Sequence, residues 1–255
     1  MTDFTLRSDV SVELVKHTAS DHDVLFAARV STSTEEAYRD AARGDCEHQG
    51  PECQWSRCGL SDRDKGLINY LMRDRHGSPF EHNSMTFCIS APIFVFREFM
   101  RHRVGWSYNE ESGRYKELEP VFYVPGPGRK LVQQGRPGKY EFVEGTVEQG
   151  RLTVDTLARA YSDAYGWYQL LLADGIAREV ARAVLPVGMF STMYATCNAR
   201  SLMHFLGLRT THADAVVPSF PQREIEMVGE QMEALWAELM PVTHAAFGAN
   251  GRVAP

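Results

Sequence analysis

The sequence contains no run of about 18 apolar residues, so no membrane-spanning helix is expected. Its opening stretch, MTDFTLRSDV, lacks the apolar centre of a signal peptide, which points to a cytoplasmic protein. Cysteine is scarce, with five in the chain, and in that compartment the thiols are expected to stay reduced. There is no Lys/Arg-rich run, and the net charge is -6. A long nucleic acid is therefore not an expected partner, because such binding needs clustered cations against phosphates. A few local arginines would still suffice for a small anion. Neither a GxGxxG, nor a GxxxxGK[ST], nor a GxSxG sequence occurs, so no dinucleotide fold, P-loop or serine nucleophile elbow is signalled. No internal repeat is found.

The 255 residues, 44% hydrophobic and 24% charged, suffice for a substantial core. Residues 10–16 alternate apolar and polar and read as an edge strand; 22–30 read as a helix. From 32 to 65 the chain is polar, and 35–64 reads as an insert in one domain spanning 1–255, partly helical at 35–43. The insert holds Cys46, His48, Cys53 and Cys58. These are natural zinc ligands, but the spacing departs from paired CxxC, which favours a plain insert with reduced thiols over a metal site. No metal ligand is assigned. Residues 66–75 read as a short helix and 85–90 as a strand. Pro92 suits the first turn of a helix over about 92–103, with Ser90 as its cap. Residues 104–118 read as a polar loop, 120–125 as extended, and 125–138, rich in Gly and Pro, as a surface loop.

The C-terminal part reads as helical. Leu157, Tyr161, Tyr165, Tyr168 and Leu172 recur every three or four residues, and Gly175 is placed as the stop. A second helix is expected from about 177 to before Pro186, a third over about 197–207, and a fourth from Pro221. The last would bury Ile225, Val228, Met232, Leu235 and Leu239.

The segment that bears chemistry is RHRVGWSYNEESGRY at 101–115. Arg97 and Arg101 are four apart and would share a helical face. Ser112-Gly113-Arg114 supplies a hydroxyl, a glycine turn and a bidentate guanidinium, a set suited to a phosphate monoester. The competing reading is a solvated basic patch paired with Glu98, Glu110 and Glu111. Arg178 and Arg182 repeat the four-residue spacing, as do Arg200 and His204 after Asn198. Arg209 falls just past Gly207. Three arginine clusters in an acidic chain weigh against the inert reading of each. Cys88 and Cys197 sit in apolar surroundings and read as core.

RHRVGWSYNEESGR resembles the signature of the flavin-dependent thymidylate synthases: Arg-His-Arg, a spacer, then Ser-Gly-Arg. Here the spacer is eight residues, one more than the family's usual seven. AARVS at 27–31, HGSPFEH at 76–82, REVARAVLP at 178–186 and NARSLMHFLGLR at 198–209 resemble further family segments in the same order. The resemblance implies a mixed α/β fold of the α+β type, a sheet packed with helices and a helical C-terminal half, in a homotetramer with active sites at subunit interfaces. It implies FAD as cofactor, NADPH and methylenetetrahydrofolate as co-substrates, and C5 methylation of dUMP to dTMP.

The family's roles then fall on matched positions. Arg101, His102, Arg103, Ser78 and Glu110 would contact the flavin, and His76 would lie near its ring. Asn198 and Arg200 would hold FAD. His204 stands where the family often has Asn, and Glu98 where relatives have Gln. Glu98 to Arg101 and Glu110 to Arg114 would line the nucleotide site. Ser112, Gly113, Arg114 and Arg182 would bind the phosphate, with Ser112 a positioner rather than a nucleophile, because no base is spaced to activate it. Arg209 would sit beside the uracil as the catalytic group. Two alternatives stand beside this: a methylase acting on UMP, or on both nucleotides, in modified-nucleoside biosynthesis, and a non-catalytic nucleotide- or RNA-binding protein.

Overall fold

The computed structural model describes residues 4–31, 59–136 and 139–255. Cys46, His48, Cys53 and Cys58, with the helix expected at 35–43, lie outside the described residues. The chain forms two compact units. The first holds the N-terminal residues through 11, then 90–100 and 110–193. The second holds the described residues of 12–89, with 101–109 and 194–255.

In the first unit, β1 (Thr5–Arg7) and β5 (Val121–Tyr123) pair in parallel, with Leu6 opposite Phe122. The long helix α4 (Val147–Ala173) starts in a capping box, where Thr146 Oγ1 accepts from the Gln149 N–H and Gln149 Oε1 accepts from the Thr146 N–H. It buries Tyr161, Tyr165 and Tyr168 against Phe122 and Met189, as the three-and-four spacing predicts. Burying a side chain such as Phe122 stabilises by roughly 2 kcal/mol. Gly175, at φ 81°, closes the helix: its N–H donates to the Leu172 carbonyl, and that of Ile176 to the Leu171 carbonyl.

The stretch at 125–138 expected to be a loop is in its second half a strand. β6 (Val132–Arg136) pairs antiparallel with β7 (Lys139–Val143), and Gly135 takes φ 91°, leaving no room for a Cβ against the Lys139 carbonyl. The Gly and Pro content correctly marked a turn but hid the strand beside it. The short helix α3 (Ile93–Phe99) is capped at Pro92 and ends before Arg101. The expected helix over 92–103, with Arg97 and Arg101 on one face, is therefore corrected. Pro92 closes a strand rather than opening the helix's first turn.

In the second unit, four strands run in the order β2 (Ser11–His17), β3 (Met85–Pro92), β8 (Phe190–Cys197), β4 (Trp106–Glu110). β2 is an edge strand, as its alternation predicts. β4 lies in the expected polar loop, and β8 stands where no element is expected from the sequence. Ser11 of β2, residues 90–92 of β3, Glu110 of β4 and residues 190–193 of β8 are counted with the first unit. Around the sheet are α1 (Asp21–Arg29), α2 (Asp62–Arg73), α6 (Ala199–Arg209), α7 (Arg223–Leu239) and α8 (Pro241–Ala249). α7 buries Ile225, Val228, Met232 and Trp236, while Leu235 and Leu239 are only partly covered, so Trp236 takes the place the pattern gave to two leucines. The helix expected over 177–185 is a single turn, α5 (Arg178–Ala181), followed by a 3-10 turn at Arg182–Val184. Among the described residues no helix is long and apolar enough to cross a membrane.

Candidate functional site

The signature segment is divided. Residues 101–109 belong to the second unit, and 110–114 to the first. Each unit therefore has its own cluster of the residues singled out from sequence.

The second-unit cluster is built on α6. Asn198 caps it, with Oδ1 accepting from the Ser201 N–H at 2.9 Å. Asn83 Oδ1 takes the next exposed donor, the Ala199 N–H, at 2.8 Å. The turn at Val104-Gly105 is pinned to the same helix start: Ser201 Oγ donates to the Val104 carbonyl at 2.9 Å. Gly105 has φ 69°, and a Cβ there would run into Ser201 Oγ and come within 3.1 Å of Asn198 Nδ2. Only glycine satisfies both the backbone conformation and the approach.

At the far end of α6, Arg209 is the last helical residue and donates from Nε to His102 Nε2 at 3.0 Å. An arginine cannot accept, so the imidazole nitrogen facing it carries no proton. Burial first, then the Arg209 guanidinium and His204, pull the His102 pKa down to about 4. An aromatic cage surrounds this ring. Phe205 meets it edge-on at 4.9 Å, Trp106 lies 6.5 Å away, and Trp106 stacks on Tyr108 at 5.7 Å. Tyr108 donates its hydroxyl to the His102 carbonyl at 2.8 Å. Burial pushes the Tyr108 phenol well above its ordinary pKa, so it remains a donor.

Arg200 and His204 do share one side of α6. Desolvation, then the Arg200 guanidinium, lowers the His204 pKa. Arg200 lies over Gly77, where a Cβ would collide with its guanidinium, and pairs with Glu81 at 2.5 Å. This brings the turn His76-Gly77-Ser78 beside Arg200. His76 and Ser78 are exposed, as are Arg101 and Arg103. His76 stacks on Tyr70 at 5.6 Å.

The first-unit cluster centres on Glu110. Burial raises its pKa; the Ser191 hydroxyl hydrogen bond opposes that, Glu111 adds to it, and Arg182 and Arg97 oppose it. Gly113 is buried, and a Cβ on it would lie 2.9 Å from Leu118 Cδ1 and 3.2 Å from Arg182 Cδ. Ser112 Oγ accepts from the Arg114 N–H at 3.3 Å, and its carbonyl accepts from the Tyr115 N–H at 3.0 Å. Arg114 pairs with Glu179 at 3.0 Å, both exposed. Glu98 is half-buried on α3. Sequence reasoning passed over Gly105, Ser201, Tyr108, Glu81 and Ser191. Of these only Gly105, a glycine inside the signature, carried a visible signal.

The family model described as thymidylate synthase complementing protein matches residues 13–242, a span through both units. The flavin-dependent thymidylate synthase of Streptomyces avermitilis is 72% identical over 98% of this chain and 96% of its own. That of Streptomyces coelicolor is 71% identical over 98% and 95%. The chain belongs to the flavin-dependent thymidylate synthase family. Membership makes it an enzyme and sets aside the non-catalytic nucleotide- or RNA-binding reading. The mixed fold of sheets and helices is likewise that of solved relatives. A UMP/dUMP methylase, PolB from Streptomyces cacaoi, superposes with TM-score 0.85 at 54% identity when bound with 5-Br UMP, covering 99% of both chains. Bound with 5-Br dUMP, it gives 0.86 at 55%, covering 99% of this chain and 100% of that one.

The residues of the second-unit cluster fit a flavin dinucleotide. A pyrophosphate needs cations and amide donors, which exposed Arg101 and Arg103, half-buried Arg200 and the Asn198 carboxamide would provide. A side chain at Gly77 would push against the Arg200 guanidinium, and one at Gly105 against the Ser201 hydroxyl.

Proposed function

We propose that this enzyme methylates C5 of dUMP to give dTMP, taking the carbon from methylenetetrahydrofolate and its reducing power from NADPH through FAD. The observation that carries the nucleotide choice is identity above 70% over nearly the whole chain to enzymes named thymidylate synthases. Reduced flavin, when bound, supplies the hydride. Arg101, His102, Arg103, Asn198 and Arg200 would hold it, with His76, Ser78, Glu110 and His204 around it. Arg97 stands near the Glu110 carboxyl and would join Glu98, Arg101 and Glu110 in lining the nucleotide. Ser112, Gly113, Arg114 and Arg182 would take the phosphate.

Arg209 has the chemical task. Uracil must become electron-rich at C5 before it meets the methylene electrophile. A fixed guanidinium beside N3 and O2 favours the ionised or polarised ring. The bond to a neutral His102 fixes the direction of the guanidinium plane, so little reorganisation remains when charge develops. We read the whole of 1–255 as one catalytic domain with a 35–64 insert, assembled as a cytoplasmic homotetramer.

A second reading, methylation of UMP as well as dUMP, is favoured by the likeness to PolB in both its 5-Br UMP and 5-Br dUMP complexes. The substrates differ by the 2′-hydroxyl, which a pocket can discriminate strongly through one hydrogen bond. Product formation with FAD, NADPH and methylenetetrahydrofolate, with dUMP and UMP supplied separately and in competition, decides. Preference for dUMP supports the thymidylate reading, comparable turnover of UMP supports the second, and methylation of neither overturns both.

A further inference from the structure

Among the described residues, only Arg75 (φ 64°) and Arg252 (φ 56°) are non-glycines with positive φ. Each sits in the turn that ends a helix. After α2, the Arg75 N–H donates to the Met72 carbonyl and the His76 N–H to the Leu71 carbonyl. After α8, the Gly251 N–H donates to the Gly248 carbonyl and the Arg252 N–H to the Phe247 carbonyl. Glycine is the usual occupant of left-handed backbone. What each arginine has that glycine lacks is a side chain, and both side chains serve the same segment.

Arg75 Nη1 donates to the Val253 carbonyl. Arg252, 4% exposed, forms a two-pronged pair with Glu233 at 2.6 and 2.7 Å, and its Nη2 also donates to Thr210 Oγ1 at 3.1 Å. Thr210 is the C-cap of α6, the residue after Arg209. Arg200 Nε donates to the Pro255 carbonyl at 2.6 Å. The Val216 N–H donates to the Gly251 carbonyl at 3.1 Å. Residues 251–255 thus tie down the turn leading into His76, the guanidinium of Arg200 and the end of the helix that presents Arg209. All of these belong to the second unit, and the segment lies beyond the 13–242 span of the family model.

We propose that residues 251–255 are a positioning strap for the flavin side of the site, holding Arg200, Arg209 and the His76 turn in register without touching substrate or cofactor. The inference rests on the flavin reading of that cluster. Strained backbone kept at two arginines that anchor one segment is what such a role requires. Local misplacement of active-site groups by about 1 Å is enough to lower rates on the order of a hundredfold.

The test uses the full chain, a variant ending at residue 252, and Thr210→Val. The shortened variant removes the Val253 and Pro255 acceptors. Thr210→Val removes the Arg252 acceptor on α6, together with the hydroxyl's own bond to the Leu206 carbonyl within the helix, and leaves the Arg252–Glu233 pair intact. Arg252 itself is not the residue to change, because its buried side chain fills space and its loss would leave the half-buried Glu233 carboxylate with His244 alone, which threatens folding. FAD affinity is read from flavin absorbance and fluorescence, kcat and KM from steady-state turnover, and integrity from thermal unfolding. The shortened variant is expected to bind FAD about tenfold or more weakly, by the scale for lost outer-shell support. Thr210→Val is expected to lose kcat with KM for the nucleotide unchanged, and both are expected to unfold within a few degrees of the parent. FAD affinity and kcat within twofold of the parent in both variants overturn the strap. Losses that only track a collapse of the unfolding transition overturn it too. If the intact chain binds no flavin, the flavin reading falls and takes the strap with it. That outcome is distinct from an intact chain and variants that all bind equally.

Discussion

Arg209 donates from Nε to Nε2 of His102 across 3.0 Å, and the two residues are 107 positions apart in the chain. A permanently charged side chain thus faces an imidazole that must be neutral to accept from it. The pair fixes Arg209 at the end of α6 and selects the His102 tautomer with its proton on Nδ1.

For Arg209→Ala, turnover is expected to fall about a hundredfold to a thousandfold, the scale of a lost charge-stabilising donor, with FAD affinity changing far less. Steady-state kinetics beside a flavin titration check this. Equal loss of both would remove Arg209 from its catalytic assignment.

His102 is expected to titrate near pH 4 rather than at its ordinary 6.5. The folded state then binds fewer protons than the unfolded state between those values. The neutral ring's stability contribution is complete above about pH 6.5 and is lost as pH falls towards 4, at most roughly 3 kcal/mol by linkage. NMR titration of the His102 ring reads the midpoint directly. In Arg209→Ala that midpoint should rise, because a neighbouring positive charge is gone; a midpoint near 6.5 in the parent would contradict the buried neutral pair.

Gly105→Ala places a side chain at φ 69° and against Ser201 Oγ. A cost of about 3 kcal/mol is expected from strain plus crowding, with the Val104–Ser201 hydrogen bond broken. Chemical denaturation measures the stability. Retention of both parental stability and FAD affinity would show that the turn is not constrained as described.

Glu110→Gln tests the first-unit cluster. Burial raises the Glu110 pKa, so the folded state holds this proton more tightly than the unfolded state. The charged carboxylate therefore costs stability at pH above its raised folded value, and the cost vanishes below the ordinary carboxylate range. The variant is expected to match or exceed the parent in stability at neutral pH and to lose the advantage in acid. Denaturation at pH 4 and pH 7 compares them, and a variant less stable at pH 7 would mean Glu110 is held mainly as an anion by Arg97 and Arg182.

Much of the local structure could be read from spacing. Tyr161, Tyr165 and Tyr168 mark the buried side of α4 because helical periodicity needs no partner to be visible. Gly175 marks its stop because left-handed backbone favours glycine. The edge strand β2 declares itself through alternation. β8 alternates too, burying Met193, Ala195 and Cys197 and exposing Thr192 and Tyr194, but Ser, Thr, Tyr and Ala mixed through its short run blur the contrast between the faces. Arg97 and Arg101 illustrate the other failure: their spacing is helical, but the helix stops at Phe99 and the chain turns.

The sequence by itself determined the residue types of the site, the two glycines in and before the signature's Ser-Gly-Arg end, and the family to which the segments are similar. These are short-range features, carried by neighbours in the chain. Only the tertiary structure decided that His102 is neutral, that it is Arg209 which meets it, that Gly105 closes against Ser201, and that 251–255 ties down Arg75, Arg200 and Thr210. Each of those depends on desolvation or on hydrogen bonds between residues remote in the chain. Periodicity marks which side of an element is buried, but which remote residues meet has no local sequence signature, because it is set by how the elements pack.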